Sequence, residues 1–156
     1  MTHRTPPPIE VRNVQRKVRV STGSLQRFAN TASALVWEHK RPRAEIASVP
    51  EITVLIVSDR RMAALHQEFC GLAAPTDVLT FRHGEIVISA ETAARQAKMF
   101  RSSLAGEIRL YLLHGLLHLG GFNDVAPRQR KQMLQLQSKL FFSLCEVGGS
   151  WSGANG

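Results

Sequence analysis

The stretch Leu104–Asp124, LAGEIRLYLLHGLLHLGGFND, decides how the rest of the chain is read. Between Leu110 and Leu119 almost every residue is apolar, the exceptions being His114 and His118 with Gly115 between them. The run is too short to cross a membrane, which takes about 20 continuous apolar residues. A helix apolar on nearly all sides is instead predicted to be buried in a core. His114 and His118 are four apart, so they share one helix face, one turn from each other. Gly120-Gly121 is expected to end the helix, because glycine takes the left-handed C-terminal conformation without a Cβ penalty. The chain then turns back, and Asp124 arrives six residues after His118.

Two imidazoles and a carboxylate make three ligands of a tetrahedral zinc, and a catalytic zinc keeps its fourth position for water. The bland alternative is two hydrogen-bonded core histidines and a helix-capping aspartate. Burying two unpartnered imidazoles among leucines is costly, and a metal removes that cost; the metal is the favoured expectation. A zincin protease would carry H-E-x-x-H, with the Glu as general base. Here Gly115 follows His114, so the proton acceptor of a peptidase is missing and open space is expected where a side chain would stand. Glu107, seven residues before His114 and on roughly the same face, is a candidate base or hydrogen-bond acceptor for the site. A non-haem iron oxygenase also uses two His and a carboxylate, but nothing else in the chain suggests an organic co-substrate.

The segment HGLLHLGGFND resembles the His-Gly-x-Leu-His-Leu-x-Gly-Tyr-Asp-His signature of the YbeY family, bacterial single-strand-specific metallo-endoribonucleases that mature ribosomal RNA. PTDVLTF (Pro75–Phe81) and GEIVIS (Gly84–Ser89) are similar to that family's Thr-Asp-Val-Leu-Ser-Phe and Gly-Asp-Ile-x-Ile-Ser segments. The resemblance covers about residues 50 to 124, in the family's order and spacing. It implies a zinc-dependent endoribonuclease with one zinc ion per chain, held by His114, His118 and Asp124 on a central, zincin-like helix. It further implies single-stranded RNA as substrate, association with ribosomal RNA and the ribosome, and a role in rRNA 3′-end maturation and ribosome quality control. Two departures stand out. The third family ligand is usually His, whereas here it is Asp124, with Asn123 where the family has Asp; aspartate is an acceptable, harder oxygen donor to zinc. LHQEFCG (Leu65–Gly71) resembles the family's Leu-Asn-x-x-Tyr-Arg segment, but Cys70 stands where an Arg thought to hold RNA should be. Cys70 is therefore the one candidate for a fourth protein ligand. A closed four-ligand site would make the chain a non-catalytic RNA-binding or ribosome-assembly module with structural zinc, the alternative function.

The rest of the composition is compatible with either. At 156 residues with 44% apolar residues the chain is expected to be one soluble domain with a proper core. Twenty basic against twelve acidic residues give +8. That surplus attracts a polyanion, nucleic acid before an acidic membrane surface, though it also suits a well-solvated domain. No signal-peptide-like apolar stretch opens the sequence. Cys70 and Cys145 are far apart and form no C-x-x-C, which suggests a reduced, cytoplasmic protein, with Cys145 as core. Oligomeric state is left open.

In chain order, residues 1–8 with three prolines read as a disordered leader, 9–147 as the single metallo-endoribonuclease domain, and the Gly/Ser-rich 148–156 as a disordered tail. Strands are predicted over 9–14, 51–57, 78–81 and 85–89, the last two as a hairpin. Helices are predicted over 22–38, 59–69 with Met62, Leu65 and Phe69 inward, 90–100, the histidine helix, and 127–146 with Met133, Leu134, Leu140, Phe141 and Leu144 inward. This is an α+β fold, a small mixed sheet with helices packed on it. Arg60 and Arg61 oppose the dipole of their helix, and Arg128, Arg130 and Lys131 follow closely on Asp124. Each set is a candidate for RNA contact, with solvent exposure as the alternative. Arg16, Lys17 and Arg19 are similar. Asp77 is either a catalytic acid or a turn cap.

Overall fold

The computed structural model describes residues 3–70 and 76–147. Four strands, β1 (Ile9–Asn13), β2 (Ile52–Val57), β3 (Val78–Phe81) and β4 (Glu85–Ser89), form one sheet in the order β1-β2-β4-β3. β1 and β4 run parallel to β2, and β3 pairs antiparallel with β4 (Val78 opposite Ile88, Phe81 opposite Glu85). The hairpin is closed by Gly84, whose φ of 107° only glycine adopts freely; a Cβ there would also meet Glu51 O at 2.5 Å. β3 is thus an edge strand of a mixed sheet.

Alternation along the central strands sorts the helices onto two faces. Val54, Ile56, Ile86 and Ile88 belong to a core shared with α1 (Thr22–His39), α4 (Leu104–Leu119) and α5 (Pro127–Val147). Val57 and Val87 point the other way, onto Met62 of α2 (Asp59–Cys70). A further helix, α3 (Ala90–Met99), precedes α4. α4 is buried along almost its whole length, with Leu112, Leu113, Leu116 and Leu117 fully inaccessible, as its all-round apolar sequence requires. Ser103 caps it by accepting from Gly106 N at 2.9 Å. Burying these four leucines contributes about 1.5–3 kcal/mol each, so α4 is fixed firmly on the sheet.

Ser58 caps α2, accepting from Arg61 N at 3.2 Å. Asp59 accepts from Ser89 Oγ (2.6 Å), Thr92 Oγ1 (2.8 Å) and Arg95 Nη1 (2.6 Å), joining α2 to β4 and α3. Several local expectations change. Phe69 is 59% exposed near the end of α2, where its ring meets the Phe81 ring edge-on at 5.0 Å. Leu134 and Cys145 are exposed, since each follows a buried residue, Met133 and Leu144, and a helix turns 100° per residue. A short 3-10 turn, Glu45–Ala47, had no counterpart in the sequence pattern. The leader makes contacts from His3 onward: His3 N donates to Ala47 O and its ring nitrogen Nε2 lies 2.9 Å from Val49 O. The tail, 148–156, lies outside the described residues. Among the described residues no helix is long and apolar enough to cross a membrane.

Candidate metal centre

α4 delivers both imidazoles to the same place. His118 Nε2 lies 3.1 Å from His114 Nε2, and Asp124 Oδ2 lies 3.4 Å from His114 Nε2 and 3.7 Å from His118 Nε2. The bend that returns Asp124 uses Gly120 as the C-cap, with right-handed φ of −76°, and Gly121 as the residue with positive φ, 96°. Phe122 N closes the turn on Leu117 O, and Arg41 N donates to Gly120 O at 2.9 Å, pinning the bend to the end of α1.

The outer ring nitrogens are held as well. His114 Nδ1 donates to Gln137 Oε1 of α5 at 2.7 Å, and His118 Nδ1 donates to the Phe122 carbonyl at 3.1 Å. With the proton on each Nδ1, each Nε2 presents a lone pair inward. Two lone pairs and a carboxylate oxygen therefore converge with nothing positive between them, an arrangement that asks for a cation. Burial, and after it the neighbouring His114, push the His118 imidazolium below its ordinary range, outweighing Asp124 and the Phe122 carbonyl, which favour charge. The neutral, metal-binding form is thus the one the site keeps. For zinc bonds of about 2.0–2.2 Å, tetrahedral ligand atoms stand about 3.3–3.6 Å apart. The three observed separations bracket that value, so the donor set fits a zinc-sized ion. Among the described residues this is the only His, Cys, Asp and Glu cluster of its kind. The side chain of Cys70 is outside the described residues.

The three donors open into a cavity of about 500 Å³, walled on one side by Val78, Leu79 and Thr80 of the edge strand and on the other by the bend. Asp77, Glu45 and Arg82 also line it, Arg82 lying 3.8 Å from Glu45. Gly115 does not leave open space: its α-carbon faces the sheet, where an added Cβ would meet Ile86 Cγ2 at 2.7 Å. A side chain at the position of the zincin glutamate would therefore be driven into β4.

The other sequence candidates distribute unevenly. Glu107 does not line the cavity. It accepts from Ser102 Oγ at 2.7 Å and is hydrogen-bonded to Tyr111. Arg130 comes close, its Nε donating to the Asp124 carbonyl at 3.1 Å, while Arg128 and Lys131 are exposed on the same end of α5. Arg60 and Arg61 are exposed on α2, across the sheet from α4. Two residues that the sequence pattern did not single out also belong here. Gln137 orients His114, and Arg41 stacks over Phe122 at 4.6 Å while its Nη2 donates to Gln132 at 3.3 Å. Arg41 belongs to HKRPR (39–43), a cluster of cations at the C-terminal end of α1.

Comparison with known proteins agrees with this geometry. A family model described as Endoribonuclease YbeY matches residues 10–144. A curated relative named Endoribonuclease YbeY from Micrococcus luteus is 32% identical over 139 residues, spanning 79% of this chain and 83% of the relative. One of the same name from Anaeromyxobacter sp. is 40% identical over 100 residues, 58% of this chain and 52% of its own length. A solution structure from Thermotoga maritima superposes with a TM-score of 0.64 at 27% identity, covering 93% of this chain and 92% of that one. With the family model spanning nearly the whole described sheet and all three convergent donors, the chain belongs to the Endoribonuclease YbeY family.

Proposed function

We propose that this chain is a zinc-dependent endoribonuclease that cuts single-stranded RNA, with one zinc ion per chain held by His114, His118 and Asp124. The observation that carries this is the convergence of two inward Nε2 lone pairs and one carboxylate oxygen within 3.1–3.7 Å of each other at the wall of an open cavity. A divalent ion in such a place polarises a phosphoryl oxygen and lowers the pKa of water toward neutrality. The chain's own residues do the rest. Gln137 and the Phe122 carbonyl hold the two rings in the tautomer that faces the cavity. Arg130, with Arg128 and Lys131 beside it, offers cations to the phosphates of a strand approaching Asp124. The edge strand and the bend leave a groove suited to a flexible single strand tracked by cations.

The +8 charge supports a polyanionic substrate. Ribosomal RNA 3′-end maturation and ribosome quality control, carried out in the cytoplasm, are assigned by family resemblance. The catalytic unit is residues 9–147. Single- and double-stranded RNA offered to the pure protein, with and without chelator, test the reading. Cleavage confined to the single strand and abolished by chelation is expected; chelator-resistant cleavage, or none at all with zinc bound, would defeat it. In the second case, a zinc absorption spectrum with a sulfur ligand that disappears in Cys70→Ser would establish the structural-zinc binding module instead.

A further inference from the structure

Three carboxylates line the cavity: Asp124, Glu45 and Asp77. Asp124 is a metal donor. Glu45 faces Arg82 at 3.8 Å. Asp77 stands at the start of β3, half-buried, with its backbone fixed by Ser89 N donating to its carbonyl at 3.0 Å. Its Oδ1 accepts from Val78 N at 2.8 Å, which holds the side chain in place and leaves Oδ2 without a partner among the described residues. Tyr111, one turn before His114 on α4, is buried. Burial, the Glu107 hydrogen bond and the charges of Glu107 and Asp77 together push the Tyr111 phenol up, and Asp77 lines the same cavity as both histidines and Asp124. The two other places where a base was sought are closed. Glu107 is bound to Ser102 and Tyr111 outside the cavity, and the residue after His114 is a glycine pressed on Ile86.

We propose that Asp77 is the catalytic base of the cleavage reaction, a statement that rests on the endoribonuclease reading above. The attacking hydroxyl, of water or of the RNA 2′ position, gives its proton to Asp77 as its oxygen forms the new bond to phosphorus. The bond from phosphorus to the departing oxygen breaks, and that oxygen takes a proton back from the Asp77 carboxyl. No oxidant or further reactant is required. One residue thereby serves two purposes: Oδ1 caps the strand, and Oδ2 is free to move a proton.

The two purposes are separable by Asp77→Asn, which keeps a carbonyl oxygen for Val78 N and removes the basicity. Single-turnover cleavage of a single-stranded RNA should fall by about 10²–10⁴-fold. Zinc content, RNA binding and melting temperature should stay at wild-type values. Asp77→Glu, which retains a carboxylate, should cut faster than Asp77→Asn, and added formate should partly restore Asp77→Ala. Glu10→Gln, on β1 and away from the cavity, serves as the control and should stay within about threefold of wild type. Asp77→Asn cleaving within threefold of wild type overturns the proposal, as does loss of zinc from it, which would make Asp77 a ligand. Both of those results leave His118→Ala inactive and the metal site standing. A wild-type protein that holds zinc and cuts nothing removes the endoribonuclease reading and this proposal together.

Discussion

Gly115→Ala adds one methyl group, and the structure gives its consequences in sign and size. The new Cβ would stand 2.7 Å from Ile86 Cγ2, 3.0 Å from its Cδ1 and 3.1 Å from its Cγ1. Ile86 is wholly buried in the central part of the sheet and β-branched, so it has one comfortable rotamer and nowhere to go. Overpacking of this kind costs about 1–3 kcal/mol. Replacing a mid-helix glycine with alanine returns about 1 kcal/mol through backbone entropy. The expected net loss is up to about 2 kcal/mol, a fall of up to several degrees in melting temperature for a chain of this size. The position lies between the two histidines, so any shift of α4 also moves their rings, and zinc affinity should fall alongside stability. The decisive assay is a double-mutant cycle with Ile86→Ala, which removes all three clashing carbons. Ile86→Ala alone should lose about 2–5 kcal/mol by leaving a cavity. On that background Gly115→Ala should become stabilising, and zinc affinity should recover. If Gly115→Ala destabilises equally with and without Ile86, the clash is not the reason for the glycine.

Other perturbations have equally definite outcomes. Gln137→Leu keeps the packing of α5 but frees the His114 ring, and should weaken zinc binding by about 10–100-fold in a competition titration with a chromogenic chelator. Zinc at 100 times its dissociation constant should raise the unfolding free energy by about 2.7 kcal/mol over the chelated protein, and His118→Ala should abolish that increment in calorimetry. Burial pushes the Asp59 carboxyl up, but hydrogen bonds from Arg95, Ser89 and Thr92 and the Arg95 charge more than reverse this and hold it below the ordinary 3.8. Because the folded-state pKa is the lower one, the stabilisation is complete above that value and drains away as pH falls through the depressed one. Asp59→Asn should therefore lower the urea midpoint at pH 6, and its effect should shrink progressively as the pH is taken below 3.8. Arg130→Ala should leave zinc content intact and weaken RNA binding while flattening its salt dependence.

Much of this molecule was legible because its signals are local. Strand and helix limits follow from period-2 and period-3.6 patterns, and the four predicted strands and five predicted helices fall within a residue or two of their limits among the described residues, the 3-10 turn Glu45–Ala47 being the element missed. The two histidines and Asp124 are held by one helix and one glycine bend, so a window of about twenty residues contains the whole donor set. What escaped depends on tertiary neighbours. Gln137 is a polar residue on a helix 23 positions beyond His114, and no spacing rule links the two. Arg41 reaches Phe122 only because α1 and the bend meet. Gly115 looks like vacant space in a sequence, since what fills it, Ile86, comes from a strand nearly thirty residues earlier. The exposure of Phe69 likewise depends on its tertiary neighbours.

The central claim is that the ion shared by His114, His118 and Asp124 is what allows the chain to cut RNA. It is tested most directly by stripping the protein with chelator and returning zinc in fractions of an equivalent while the cleavage of a single-stranded RNA is followed. Activity should start at zero, climb in proportion to the zinc added, level off at one ion per chain, and never appear in His118→Ala. Undiminished cleavage by the stripped protein, or by His118→Ala, would contradict it.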